Sequence, residues 1–295
     1  MNTWIIGAGG LLGHALTTSV KDTFAATPIN WGDPDLSADQ LTQNLKQFVS
    51  IVESQSLPWS IIWAAGHATV SSDADTCQRE LEVFTRFTHS LAEIDTRGNG
   101  TFFLTSSAGG VYAGSASAPF SVESAVAPTS EYGHLKLAQE QAALQLDHWN
   151  VRIGRVSNLY GPGQDLNKLQ GLVSRLVLAA LEKETINIFV PLDTLRDFIY
   201  VQDAADTISE LVHNPESPQI AIIASGEPKS LGTVIHQVQE IIRVKIPIAY
   251  GIHSSSAGQS PDLRMVPTVA SPNSTPFPVG VKHVIADLVD RLQNR

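Results

Sequence analysis

Tyr132 and Lys136 stand one helical turn apart in Glu131-Tyr132-Gly133-His134-Leu135-Lys136. On a helix they share a face. An ammonium beside a phenol favours the phenolate, and a tyrosine tuned in this way can exchange a proton with a substrate hydroxyl. The same spacing also occurs on solvated helix faces, so the pair needs a second signal. Gly7-Ala8-Gly9-Gly10-Leu11-Leu12-Gly13 supplies it, because these residues follow the apolar stretch Trp4 to Ile6 and open an apolar segment, Leu11 to Val20. In that context glycines let the chain turn tightly and let a pyrophosphate approach the backbone, while the helix N-terminus offers amide donors. Gly7, Gly9, Gly10, Leu11, Leu12 and Gly13 are therefore the expected cradle of a dinucleotide.

A third cluster of hydroxyls, Thr105-Ser106-Ser107, closes an apolar run that begins at Thr101. In an open parallel sheet, ligands bind beyond the carboxyl ends of the strands. Ser106 and Ser107 are thus candidates to hold a reacting oxygen, or else they cap the strand end. The ribose reader is expected at the end of a second strand, Ala25 to Asn30, which Pro28 interrupts. Asn30 can bind a hydroxyl but has no charge to repel a 2′-phosphate, and no Arg or Lys stands nearby to attract one, so NAD and NADP both stay open. Asp33, Asp35 and Leu36 follow, and the two acids serve either as cofactor contacts or as turn and helix-cap residues.

The elements that must position these groups can be read from hydrophobic periodicity. Apolar runs without polar alternation recur at Trp4 to Ile6, Trp59 to Ala65, Thr101 to Thr105, Val151 to Val156 and Gln219 to Ala224. Strands buried on both faces read this way. Helical segments are expected between them, at Leu11 to Val20, Ala38 to Glu53, Cys77 to Ile94 and Ser130 to Trp149. Strand and helix alternate, which implies an α/β fold with a doubly wound parallel sheet. After Tyr160 the punctuation changes at Gly161-Pro162-Gly163, and a helix over Lys168 to Glu182 and a strand over Ile186 to Val190 belong to a second region. Ala257 to Pro278 holds five prolines and reads as a wandering surface loop, before a last helix from Val281 to Leu292. The expected division is a nucleotide-binding domain over 1–160, rejoined by 197–225, and a substrate domain made of 161–196 and 226–295.

Composition narrows the partners. The chain has 295 residues and carries 29 acidic against 19 basic residues, a formal charge of -10. That balance argues against nucleic acid or an anionic membrane as the main partner. Cys77 is the one cysteine, which excludes an intrachain disulfide and a cysteine-rich metal site. The start has no basic segment followed by a signal-length apolar stretch, and no apolar run reaches the ~18 to 20 residues of a membrane span. A soluble cytoplasmic protein without bound metal is expected.

These motifs together resemble the extended short-chain dehydrogenase/reductases, and more narrowly the NAD-dependent epimerase/dehydratase family that acts on nucleotide sugars. The resemblance rests on the glycine loop, the Ser-Ser strand end, Tyr132-x-x-x-Lys136, Arg155-Val156-Ser157-Asn158-Leu159-Tyr160-Gly161-Pro162-Gly163, and Arg196-Asp197-Phe198-Ile199-Tyr200-Val201-Gln202-Asp203. It implies a Rossmann-type NAD(P) domain with a smaller C-terminal α/β substrate domain, and a homodimer. It implies further that Tyr132 is the acid/base, that Lys136 binds the nicotinamide ribose and tunes the tyrosine, and that Ala64, Ala65 and Gly66 line the cofactor. Asn158 and Arg196 would meet the diphosphate of a nucleotide sugar, and Ser107 or Ser106 would hold the reacting oxygen. Epimerisation by transient oxidation at carbon 4 is the implied reaction. The alternatives are an NADPH-dependent reductase or a dehydratase of the same substrates, and a cofactor-binding sensor without turnover. The sequence departs from the pattern in places. Ala108 stands where the family has its catalytic hydroxyl, Arg79-Glu80-Leu81 stands where an Asn is common, and Ala108-Gly109-Gly110 replaces the Asp-Glu pair of sugar dehydratases.

Overall fold

A computed structural model describes residues 2–54, 57–167, 170–251 and 260–294. In chain order the elements are β1 (Asn2–Ile6), α1 (Leu11–Ser19), α2 (Pro34–Glu53), β2 (Trp59–Trp63), α3 (Ala74–Ala92), β3 (Gly100–Ser107), α4 (Ala108–Val111), α5 (Glu131–Ala143), β4 (Asn150–Val156) and β5 (Asn158–Tyr160). They continue with α6 (Leu172–Glu182), β6 (Ile186–Ile188), β7 (Leu195–Arg196), β8 (Phe198–Tyr200), α7 (Val201–His213), β9 (Ile220–Ile223), β10 (Lys229–Ser230), α8 (Leu231–Ile242), β11 (Ile248–Tyr250), β12 (Asp262–Leu263) and α9 (Phe277–Gln293).

β1, β2, β3, β4 and β9 form a parallel sheet in that order. The strands are apolar throughout because both faces are covered. Ile5, Ile62 and Phe103 point to one side and meet Leu12 and Leu16 of α1 and Ala204 and Ile208 of α7. Their neighbours Trp4, Ile61 and Phe102 point to the other side and meet Leu41 and Phe48 of α2 and Phe84 and Phe87 of α3. Each buried ring of this kind contributes roughly 1.5 to 3 kcal/mol. This is a Rossmann-like α/β sandwich, as the alternation of runs implies. A second core gathers α6, α8 and α9 around Leu176, Val177, Val234, Val238, Val281 and Val284, with β6 and β8 beside them.

Three expectations need correction. The second strand, Ala25 to Asn30, does not form. The chain touches β1 at a single bridge, Thr3 with Thr23, where Phe24 N–H donates to the Thr3 carbonyl at 2.8 Å. Beyond it the buried Asn44 side chain of α2 takes the place of a neighbouring strand: its Oδ1 accepts from Thr27 N–H at 2.9 Å and its Nδ2 donates to the Thr27 carbonyl at 3.0 Å. Second, the helix that carries Tyr132 ends at Ala143 rather than near Trp149. Trp149 turns into the core and its ring N–H donates to the Leu91 carbonyl at 2.9 Å.

The third correction concerns Ala257 to Pro278, whose residues 257–259 lie outside the described chain. The remainder is not a wandering surface loop. β12 pairs with β7, Met265 bridges Phe120, Thr268 N–H donates to the Ile222 carbonyl at 3.1 Å, and α9 already begins at Phe277. The prolines cut the ladder into short pieces without abolishing it. Likewise 168 and 169 of the helix expected from Lys168 lie outside the described residues. The helix proper starts at Leu172, after Gly171 takes a left-handed conformation at φ 86°. Among the described residues no helix is long and apolar enough to cross a membrane.

Candidate active site

The glycine loop lies at the carboxyl end of β1, the edge strand of the parallel sheet, and in open α/β sheets ligands bind beyond the carboxyl ends of the strands. Gly7 has φ 91°, and a Cβ there would lie 2.6 Å from Ala65 N, so the loop after β1 sits directly against the loop after β2. A Cβ on Gly13 would lie 1.9 Å from the Gly7 carbonyl oxygen, which forces a glycine where α1 crosses the loop. Above Gly9, by contrast, the space is open. Gly10 caps α1 without a side chain, and no acidic residue stands in the first turn, so nothing local neutralises the positive end of the helix. Leu11, Leu12, Ala64, Ala65 and Gly66 line a cleft of about 600 Å³ that runs from this loop to the second core.

Tyr132 and Lys136 line the same cleft from α5, and Lys136 Nζ lies 5.6 Å from the centre of the Tyr132 ring. Ser130 caps this helix by accepting from Gly133 N–H at 3.1 Å, which fixes the turn that carries Tyr132. The buried ammonium donates to Gln139 Oε1 at 2.9 Å and lies 3.3 Å from Glu80 Oε1. Burial alone would lower the Lys136 pKa, but the Glu80 carboxylate outweighs it and holds the ammonium above its ordinary value. Neither Glu80 nor Gln139 follows from residue type alone. Position 80 stood out in the sequence as a departure, and its partner becomes visible once α3 packs on α5.

The two serines separate. β3 turns successive side chains to opposite faces, so Thr105 and Ser107 share one face and Ser106 takes the other. Ser107 Oγ accepts from Gly110 N–H at 3.1 Å. A Cβ on Gly110 would lie 3.3 Å from Ser107 Oγ and 3.2 Å from Tyr132 Cε1, so the serine and the tyrosine flank one glycine. The Thr105 hydroxyl, which the sequence reading did not single out, also borders the cleft and has no hydrogen-bond partner among the described residues. Ser106 is a correction. Its hydroxyl is buried and donates to Glu140 at 2.5 Å, and Glu140 is ion-paired with Arg155 at 2.7 Å. Arg155 in turn donates to the Tyr112 hydroxyl at 2.6 Å. Ser106 thus completes a buried polar network behind the site, and Arg155 is an ion-pair partner.

A model of the NAD dependent epimerase/dehydratase family matches residues 4–224. This chain belongs to that family. Among curated family relatives, the dTDP-L-rhamnose 4-epimerase of Burkholderia thailandensis is 38% identical over 112 residues, covering 35% of this chain and 30% of that protein. The GDP-6-deoxy-D-mannose reductase of Pseudomonas aeruginosa is 27% identical over 201 residues, 65% of this chain and 66% of that protein. The matched regions thus fall short of two thirds of these relatives' own length. A UDP-glucose 4-epimerase of Thermotoga maritima, solved with UDP-glucose, superimposes with a TM-score of 0.81 at 16% identity, covering 99% of this chain and 100% of that one, and shows the same fold.

In this member of the epimerase/dehydratase family, the far end of the cleft is lined by Asn158, Arg175 and Arg196. Asn158 Nδ2 donates to the Asp197 carbonyl at 2.8 Å, which sets the side chain at the cleft edge. Arg196 is 9% exposed, and its guanidinium donates to the carbonyl of its neighbour Leu195 at 2.8 Å. The nearby Asp262 carboxylate is engaged by Arg264 at 2.7 Å. Burial therefore presses the Arg196 pKa down to about 10. A cation held at such a cost is suited to an anionic ligand. Next to it, Asp197 is buried and accepts from Ser157 Oγ at 2.7 Å, Ser225 N–H at 2.9 Å and Gly226 N–H at 2.8 Å. Asp203 does not cap α7. It accepts from Thr275 N–H and Oγ1, both at 2.7 Å, and so secures the approach to α9.

The candidate ribose readers stand apart from this cleft lining. Asn30 Oδ1 accepts from Gly32 N–H at 3.1 Å within its own turn. Asp33 caps α2 through Asp35 N–H at 3.0 Å and Leu36 N–H at 3.1 Å. The Asp35 side chain is exposed and pairs with Arg86 at 2.6 Å, while Leu36 lies on the surface. No group of three metal-ligating side chains occurs among the described residues.

Proposed function

We propose that the chain is an NAD(P)-dependent nucleotide-sugar epimerase that works by transient oxidation of a sugar hydroxyl, at carbon 4. The observation that carries this reading is the grouping of Tyr132 and Ser107 around Gly110, with Lys136 behind them and the buried Arg196 in the same cleft. The glycine loop and the open end of α1 suit the pyrophosphate of a dinucleotide. Bound there, a nicotinamide supplies a hydride acceptor and donor. Tyr132 takes the proton from the sugar hydroxyl and later returns it, Lys136 favours its phenolate, and Ser107 holds the sugar oxygen. Arg196 and Asn158 bind the diphosphate, and the lobe made of 161–196 and 226–295 holds the sugar nucleotide. Thr105 adds a second hydroxyl on the Ser107 face.

NAD is the better fit. A 2′-phosphate at the start of α2 would meet Asp33, Asp35 and Asp39, and Arg86 is already held by Asp35 and Asp39 at 2.6 and 3.8 Å. A reductase is the second reading, favoured by the reductase named among the relatives. Dehydration is disfavoured because α4, Ala108–Val111, brings no carboxylate to the site. A homodimer and a cytoplasmic location belong to the same reading and rest on the family resemblance.

The test is Tyr132→Phe assayed with a panel of nucleotide sugars. Turnover should be abolished while cofactor binding persists, and equal activity in the variant would remove the mechanism. The wild type should convert its substrate without net change in the nicotinamide absorbance, whereas a stoichiometric change would install the reductase instead.

A further inference from the structure

Glu80 has no task in the mechanism above, yet it is the most connected charge near Tyr132. Its Oε1 lies 3.3 Å from Lys136 Nζ, and the two side chains are only 11% and 7% exposed. Its Oε2 accepts from the backbone N–H groups of His67 and Ala68, both at 2.8 Å. Those donors belong to the loop that follows β2 and continues from Ala64, Ala65 and Gly66 along the cleft. One carboxylate therefore joins the loop on the cofactor side to the lysine behind the tyrosine.

We infer that Glu80 is a positioning residue that holds Lys136 in place and cancels much of its charge, so that Tyr132 releases its proton at a higher pH than beside an unpaired lysine. The inference rests on reading Tyr132 as the acid/base. An ammonium near the ring stabilises the phenolate, and a carboxylate on the far side of that ammonium opposes it. An amide at position 80 carries no charge, and its single acceptor oxygen can serve the loop N–H groups or Lys136 but not both. Burial opposes ionisation of Glu80, but Lys136 and the two N–H donors outweigh it and hold the carboxyl below its ordinary range, so the charge persists at neutral pH.

The other groups facing the trio are fixed. From α3 come Cys77, a buried thiol that burial pushes up, and Asp73 with Arg79 near its cap. α5 contributes Glu131 at its exposed start, and behind it the Glu140–Arg155 pair is closed on itself. The His67 side chain is exposed on the loop after β2. Of these groups Cys77 also feels the Glu80 charge, which helps burial to raise its thiol, and the Tyr132→Phe blank removes that contribution from the difference.

The phenolate absorbance of the full chain is titrated for wild type, Glu80→Gln, Glu80→Asn and Glu80→Asp, each against the same protein carrying Tyr132→Phe as the blank. The Tyr132 step should fall by about one pH unit in both amide variants and stay at its wild-type position in Glu80→Asp. A step that stays in place or rises in the amide variants overturns the inference. Loss of a cooperative melt in both amide variants also overturns it, because the carboxylate would then serve the fold. Retained turnover in Tyr132→Phe would defeat the acid/base reading alone, since the titration needs neither substrate nor cofactor.

Discussion

Arg196 offers a prediction in which stability and binding move in opposite directions. Burial presses its pKa down to about 10, and a displacement of this size corresponds to roughly 3 kcal/mol of cost to the folded, ligand-free state. Because the side chain is buried, solvent screening removes little of that figure. Replacing it with Met removes the charge and fills most of the volume, and such replacements of a buried charge stabilise by about 1 to 4 kcal/mol. The expected rise in Tm without ligand is about 2 to 6 °C for a chain of this size. Binding should move the other way, because a charge-assisted hydrogen bond to phosphate is worth about 1.5 to 3 kcal/mol, or roughly 10- to 100-fold in Kd. Melting curves of wild type and Arg196→Met, recorded with and without uridine, thymidine and guanosine diphosphate sugars, measure both quantities. A variant that melts lower than wild type and keeps the full ligand-induced shift would refute the argument, since Arg196 would then be a structural cation.

The neighbouring serines should part company. Ser107→Ala should lower kcat by about 10- to 1000-fold and cost about 0.5 to 2 kcal/mol through the lost cap on Gly110 N–H, whereas Ser106→Ala should cost about 1 to 3 kcal/mol through its lost hydrogen bond to the buried Glu140 and spare kcat. Gly13→Ala should weaken NAD binding at least about tenfold in a titration and lower Tm, because its Cβ would lie 1.9 Å from the Gly7 oxygen. The Glu80–Lys136 pair predicts a pH window. Glu80 is held below its ordinary value and Lys136 above its own, so the stability they add is full between about pH 5 and 10, lost as pH falls on the carboxylate side, and lost as it rises on the ammonium side. The melting gap between wild type and Lys136→Met should therefore be flat inside that window and close on both sides.

Much of the sheet was legible because its strands are buried on both faces and their apolar runs have no polar alternation. Thr101 to Thr105 and Val151 to Val156 became β3 and β4 for that reason. The segment after α1 misled because Phe24-Ala25-Ala26 has strand-like composition, while its real partner is the side chain of Asn44, which no local pattern announces. Ser106 and Ser107 both looked chemical. Choosing between them requires knowing that β3 runs straight into α4, so that Ser107 shares Gly110 with Tyr132. Ala257 to Pro278 misled in the opposite sense, since prolines signal broken structure and say nothing of short pairings with β7 and Phe120. Glu80 was visible as a departure, but its meaning depends on two helices meeting side by side.

The Asp197 clamp bears on how this architecture could be re-engineered. A single carboxylate fastens the loops after β4 and β9 to the strand that delivers Arg196. Arg196 is thereby indexed to the parallel sheet rather than carried loosely by the second core. A chimera that grafts the second lobe of another protein onto this sheet would keep Arg196, and with it the proposed phosphate site, in register if the crossover fell after Asp197 and preserved Ser157 and Ser225. A crossover placed before Asp197 would bring in a reader cut to fit a different sheet.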